Sequence, residues 1–253
     1  MKFAQIVFSP TGGTQKAADI MTEIWGQEVE TVDLTDANQD FSQYAYQNDD
    51  LVLIAIPSYG GRVPALAVER LAKIHGNGAR CVLVCVYGNR AYEDTLVEMQ
   101  DCAKRCGFCP IAAIAAIAEH SILHQYASGR PDMEDRRILE DYSRKILQKF
   151  RAGDDGIPAL PGNRPYKKAG GAGMVPHATN ACVDCGLCAK QCPAQAIHPE
   201  NIRTADGKAC ISCMRCVVHC PHSARKINGA MAAAAGLALK KACSVRKECE
   251  LYI

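Results

Sequence analysis

Residues 182–193 read CVDCGLCAKQCP, and residues 210–221 read CISCMRCVVHCP. Both halves follow Cys-x-x-Cys-x-x-Cys-x-x-x-Cys-Pro, and the second begins 28 positions after the first, at Cys210 against Cys182. A thiolate-ligated cubane has four irons, and each takes one thiolate. Two-residue gaps let a tight loop reach three of them from one side, so the fourth ligand must come from elsewhere. Pro193 and Pro221 turn the chain back directly after the last cysteine of each run. Paired Cys-x-x-Cys elements also bind zinc. A zinc site, however, takes four ligands from two separated pairs and does not call for a triple followed by Cys-Pro.

Working outward, residues 152–180 carry six glycines and four prolines, the composition of a linker. Gly171-Ala172-Gly173 within it is no dinucleotide fingerprint, because Pro176 stands where the third glycine belongs and no strand precedes it. Upstream lie continuous apolar runs: residues 2–9, LVLIAI (51–56), CVLVCV (81–86) and IAAIAAIA (111–118), with Val29 to Leu34 as a further strand. Runs without alternation suit a parallel sheet covered on both faces. Helical patterns separate them, at Ala65 to Ile74, Ala91 to Cys106 and Met133 to Phe150. Strands alternating with helices predict a doubly wound α/β domain. Five strands in the order 2-1-3-4-5 would put a binding crevice where the order reverses.

Three specialised loops would face that crevice. Ser9, Thr11, Gly12, Gly13 and Thr14 supply hydroxyls and backbone N–H groups at a helix start, an anion site with no Lys or Arg in it. That suits a phosphate monoester. The Walker pattern is absent. Ser58, Tyr59, Gly60 and Gly61 form the second loop; Tyr87, Gly88, Asn89 and Tyr92 belong to the third. The tyrosines offer an apolar face with a polar tip. Gly60 and Gly61 allow a peptide flip.

The cysteine runs resemble those of two-cluster bacterial ferredoxins, in which the last cysteine of each run ligates the other cluster. That resemblance implies one [4Fe–4S] cluster on Cys182, Cys185, Cys188 and Cys220, and a second on Cys210, Cys213, Cys216 and Cys192. The SPTGGT, PSYGGRVP and YGNRAYED loops resemble the FMN loops of flavodoxins. Together they make the chain similar to ferredoxins with an N-terminal flavodoxin-like domain, which implies FMN as well as two [4Fe–4S] clusters. The expected organisation is a flavodoxin-like domain over 1–153, a linker over 154–176 that permits motion, a ferredoxin module over 177–228 and a helical tail over 229–253. Ala196–His198 and Arg225–Ile227 are expected to pair as short strands in the module.

The 253 residues hold 15 cysteines, an odd number, which argues against a disulfide framework. The opening MKFAQIVFSP has no long apolar core, so a cytoplasmic setting and no membrane span are expected. Residues 1–155 carry a net −6 and residues 156–253 a net +8. The basic half offsets anionic clusters and favours docking of the two halves, rather than nucleic acid. Cys102, Cys106 and Cys109 match a radical-SAM spacing, but Tyr92, Leu96, Met99, Ala103 and Cys106 share one apolar helix face, so these cysteines are read as packing. Cys81 and Cys85 are likewise read as core. Among the histidines, His219 and His222 flank Cys220 and could tune its cluster, and His120 follows the last strand at the flavin edge. The expected role is electron transfer with one-electron redox proteins or a reductase partner. A flavin-dependent reductase, with Tyr92, Glu93 and His120 as positional candidates, and a redox sensor are the alternatives.

Overall fold

The computed structural model describes residues 1–171 and 173–253. Ala172, inside the expected linker, lies outside the described residues. The N-terminal domain runs β1 (Phe3–Val7), α1 (Gly13–Thr22), β2 (Val29–Asp33), β3 (Leu51–Pro57), α2 (Ala65–Leu71), β4 (Arg80–Tyr87), α3 (Thr95–Arg105), β5 (Cys109–Ile117) and α4 (Met133–Arg151). These five strands are parallel in the order 2-1-3-4-5. This is the flavodoxin-like arrangement. Residues 52–55 of β3, 81–85 of β4 and 111–117 of β5 are at most 1% exposed. Helices on both faces account for that burial and for the missing alternation in the sequence. Because all five strands point one way, the loops after β1, β3 and β4 emerge at one edge, beside the switch point between β1 and β3.

The helices are held by local chemistry. Gly107 stops α3 with φ +83°. Asp132 caps α4, accepting from Glu134 N and Asp135 N in a reciprocal capping box. Trp25, 2% exposed, donates from Nε1 to Ser143 Oγ at 3.1 Å and so ties the end of α1 to α4.

The expected linker does not hang free. Asp94, 1% exposed, accepts from Asn163 N at 2.8 Å and from Lys167 N at 2.7 Å. Arg164 pairs with Asp101 at 2.8 Å. Arg62, itself chelated by Glu98 through two 2.7 Å bonds, lies 4.9 Å over the Tyr166 ring. Residues 158–167 are thus a strap hydrogen-bonded along α3.

The module follows as β6 (His177–Ala178), α5 (Leu187–Lys190), α6 (Arg215–Val218) and β7 (Arg225–Lys226). Its two-stranded sheet pairs His177 with Lys226 and Ala178 with Arg225. The expected partner Ala196–His198 instead forms a turn closed by a His198–Asn201 bridge. The segment after Asp206 returns to Ala196, whose carbonyl accepts from Asp206 N at 2.7 Å, so the edge that pairs with β7 belongs to the chain entering the module.

The tail returns to the first domain. After α7 (Gly229–Cys243) comes β8 (Glu250–Tyr252), which adds to β5 as a sixth, antiparallel strand. Asn89 clasps the return: its Nδ2 donates to Cys243 O and Val245 O, both at 2.9 Å, and its Oδ1 accepts from Lys247 N. Cys243 and Cys249 are each 4% exposed.

Candidate functional site

A cavity of about 650 Å³ opens at the edge where the three loops emerge. Thr11, Gly13 and Thr14 line it from the first loop, Ser58, Tyr59 and Gly60 from the second, and Tyr87 and Gly88 from the third. Gly12 precedes α1 with φ +91°, a conformation that only glycine adopts without strain, and the first-turn N–H groups beyond it have no acceptor of their own within the helix. Arg215 Nη1 reaches Pro10 O at 3.2 Å. The anion loop, which carries no cation in its own sequence, therefore receives one from the module. Gly60 and Gly61 hold φ of +61° and +83°, so this peptide has the freedom the flip requires. The hairpin is closed by Tyr59 N to Arg62 O at 2.9 Å.

Other expected residues serve the scaffold. Ser9 accepts from Gln15 N at 2.9 Å and donates its own N–H to Thr35, fixing the loop rather than lining the cavity. Asn89, which clasps the tail, is turned away from the cavity. Tyr92 hydrogen-bonds Tyr252 at 2.7 Å and Glu250 at 2.9 Å, and its ring meets Tyr87 edge-on at 5.1 Å. Neither is among the residues lining the cavity; the polar groups of Asn89 and Tyr92 are spent on the returning tail. Gly61 packs on Glu93. His120 does line the cavity; burial lowers its pKa below the ordinary histidine value, and its Nδ1 accepts from Ile122 N and Leu123 N at 3.2 Å.

The far wall of the cavity was not legible in the sequence. Cys210, Ile211 and Ser212 line it from the second cysteine run, Met174 from the segment between the strap and β6, and Ala235, Ala238 and Leu239 from α7. Several contacts hold this wall in place, among them the Arg215 bond to Pro10 and the bond from Tyr126 Oη to Gly236 O of α7 at 2.6 Å. Another is Arg70 of α2, 8% exposed, whose Nη2 donates to Pro193 O at 2.6 Å. Pro193 is the proline that ends the first run. Tyr59 lies across the boundary: its ring lines the cavity, and its phenol is raised well above the usual tyrosine pKa first by burial and then by the nearby Cys213.

The eight cysteines sort into two groups. Cys182, Cys185, Cys188 and Cys220 ring one small hollow, together with Cys216, His219 and His222. In the other group, burial pushes the Cys213 thiol up to about 12; the Arg215 N–H opposes this, and repulsion from Cys192, Cys216 and Cys210 adds to it. Cys192 is not among the residues that ring the first hollow, and it lies near enough to Cys210 and Cys216 to raise their pKa values. Four thiols around a hollow present ligands to separate atoms of a cluster. Among the described residues no three His, Cys, Asp or Glu side chains converge on a single ion. The donor set is all sulfur, and two of the thiols already accept backbone N–H bonds, Cys192 from Ala196 at 3.3 Å and Cys220 from Ala224 at 3.2 Å. These residues fit an iron–sulfur centre.

Comparison with known families identifies residues 169–225 as a 4Fe-4S dicluster domain. No curated protein matches the chain in sequence. Among solved structures, a Streptococcus pneumonia TIGR4 flavodoxin is 21% identical, covering 58% of this chain and 99% of its own, with a TM-score of 0.43. Oxidised flavodoxin 1 from Bacillus cereus is 14% identical over 58% of this chain and 98% of its own, TM-score 0.41. A Fusobacterium nucleatum flavodoxin bound to flavin mononucleotide is 14% identical over 59% and 99%, TM-score 0.41. No helix among the described residues is long and apolar enough to cross a membrane. With the strand order read directly from the sheet, the chain is a flavodoxin-like α/β domain joined to a C-terminal 4Fe-4S domain of ferredoxin type.

Proposed function

We propose that this chain is an electron-transfer protein whose large cavity holds FMN and whose eight cysteines hold two [4Fe–4S] clusters. A flavin exchanges electrons in pairs or singly and such clusters exchange them one at a time, so the combination joins two-electron partners to one-electron carriers. The observation that carries the reading is the shared cavity. Residues 210–212, at the start of the second cysteine run, line the same cavity as the three flavin-type loops and form its far wall.

The residues divide the task. The N–H groups at the start of α1, the hydroxyls of Thr11 and Thr14, and the Arg215 cation favour a phosphate monoester. Tyr59, Gly60, Tyr87 and Gly88 provide a flat, largely apolar slot for the ring system. Cys210, Cys213, Cys216 and Cys192 are the ligands assigned to the inner cluster. Cys182, Cys185, Cys188 and Cys220 are those of the outer one. Exposure supports this order: Cys213 is 8% exposed, whereas Cys185 is exposed and its neighbour Val183 is 58% exposed. The first run is thus the end presented to a protein redox partner, and the strap and the β8 clasp hold the flavin end against the inner thiols.

An anaerobic reductive titration followed by visible absorption and EPR tests this. The expected protein contains one FMN and about eight irons. Tyr59→Leu should retain both and slow electron exchange between flavin and clusters. Zinc in place of iron, or iron with no flavin bound, refutes the reading.

A further inference from the structure

The module is an internal repeat on the 28-residue shift. Residues with positive φ recur in pairs: Asp184 and Ser212 at +54° and +53°, Gly186 and Met214 at +76° and +63°, Gln195 and Ser223 at +50° and +49°. The short helices α5 and α6 begin at Leu187 and Arg215 and obey the same shift. So do Ala196 and Ala224, which donate to the last cysteine of each run. The next position breaks the pattern. In the first half it is Ile197, 4% exposed; in the second it is Arg225, 1% exposed.

An isoleucine there fills space. A guanidinium brings a permanent charge into the same kind of site, at a desolvation cost that needs anions nearby to offset it. The hydrogen bonds of Arg225 go to backbone carbonyls: Nη1 to Ile202 O at 2.7 Å and to Arg203 O at 3.4 Å, Nη2 to Pro176 O at 2.9 Å. Its buried Nε has no partner. The side chain lines the hollow ringed by Cys182, Cys185, Cys188 and Cys220. Cys216, which belongs to the other group, lines the same hollow, so Arg225 borders ligands assigned to both clusters.

We propose that Arg225 is a fixed cation set between the two cluster sites that raises the reduction potential of both. The inference rests on the cluster reading above. Reduction adds one negative charge to a cluster already bound by four thiolates, and a buried cation whose position is locked by carbonyls stabilises that added charge. The break in the repeat therefore supplies shared electrostatics that a symmetric module would lack, and it keeps the reduced states accessible to the flavin-side donor.

The test uses the full chain with its clusters, in potentiometric titrations followed by EPR, alongside counts of iron and acid-labile sulfide. Arg225→Met and Arg225→Gln remove the charge; Arg225→Lys keeps it. With wild-type iron content, both neutral variants should shift the reduction equilibrium of each cluster toward the oxidised form by about tenfold or more, equivalent to 59 mV for a one-electron couple. The lysine variant should stay close to wild type. Unchanged potentials in an iron-replete neutral variant overturn the proposal. So does a lysine variant that shifts as far as the neutral ones. Loss of iron from both neutral variants while lysine loads also overturns it, since Arg225 would then serve assembly alone. Wild-type protein that holds no iron defeats the cluster reading itself, a result visible before any variant is made.

Discussion

Ile54, Leu83 and Ile114 lie on adjacent strands of the first domain, and each is at most 1% exposed. In the cysteine-rich module the buried apolar side chains are few: Ala196, Ile197, Ile202, Met214 and Ala224, between 1% and 8% exposed. Its sheet is two residues deep, and its two central helices have four residues each. The first domain buries enough apolar surface to order itself. Each fully buried aliphatic side chain there contributes about 1.5–3 kcal/mol. A module of this size with so small a core needs another source of order. On the reading proposed above, that source is the ligation of the eight thiols, and cluster binding doubles as folding free energy.

The largest effect should come from removing the clusters. Chelation of iron is expected to abolish hydrogen-exchange protection across residues 177–228 while β3, β4 and β5 stay protected; equal loss in both regions breaks the contrast. Next in size is Cys220→Ala. It should remove the outer cluster, about four of about eight irons, and leave EPR of the inner one. Loss of the inner cluster instead would show that each run ligates its own cluster. Cys249→Ala, on a cysteine equally part of the fold but packed in the first domain's core, should leave the iron count unchanged. The reciprocal change is Ile114→Ala, expected to destabilise the first domain by about 2–5 kcal/mol in chemical denaturation, again with full iron content.

Smallest is Asp94→Ala, which leaves the N–H groups of Asn163 and Lys167 without their acceptor. It should cost about 1–3 kcal/mol and expose residues 158–167 to limited proteolysis. The Asp94 carboxyl lies below its ordinary pKa, first because Lys167 N–H donates to it; burial opposes that, and the bonds from Asn163 add to it. A depressed carboxylate stabilises the folded state above its unfolded pKa of about 3.9. That contribution fades as pH falls through the lower folded value. The strap should therefore hold at neutral pH and loosen only in acid.

Much of each half was legible because its signal is local. Uninterrupted apolar strands announce a sheet covered on both faces. The cysteine spacing reflects the reach of a tight loop, and the regular 28-residue shift reappears in backbone angles at Asp184 and Ser212. The strand pairing within the module was misread, since both Ala196–His198 and His177–Ala178 are too short for their patterns to choose between them. Asn89 and Tyr92 looked like ligand contacts because they sit in the right loop; their partners lie more than 150 positions away.

By itself, the sequence determined the two domain types, the direction of the sheet, the loops at its switch point and the eight thiols, all through patterns spanning a few residues to a few turns. Tertiary structure alone decided the rest: that the strap is fastened to Asp94, that β8 returns to β5, and that residues 210–212 close the cavity begun by residues 11–14. The physical reason is that buried hydrogen bonds must be satisfied wherever the chain supplies a partner. Which distant carbonyl satisfies Arg70 or Asn89 depends on how the module and the tail meet the first domain.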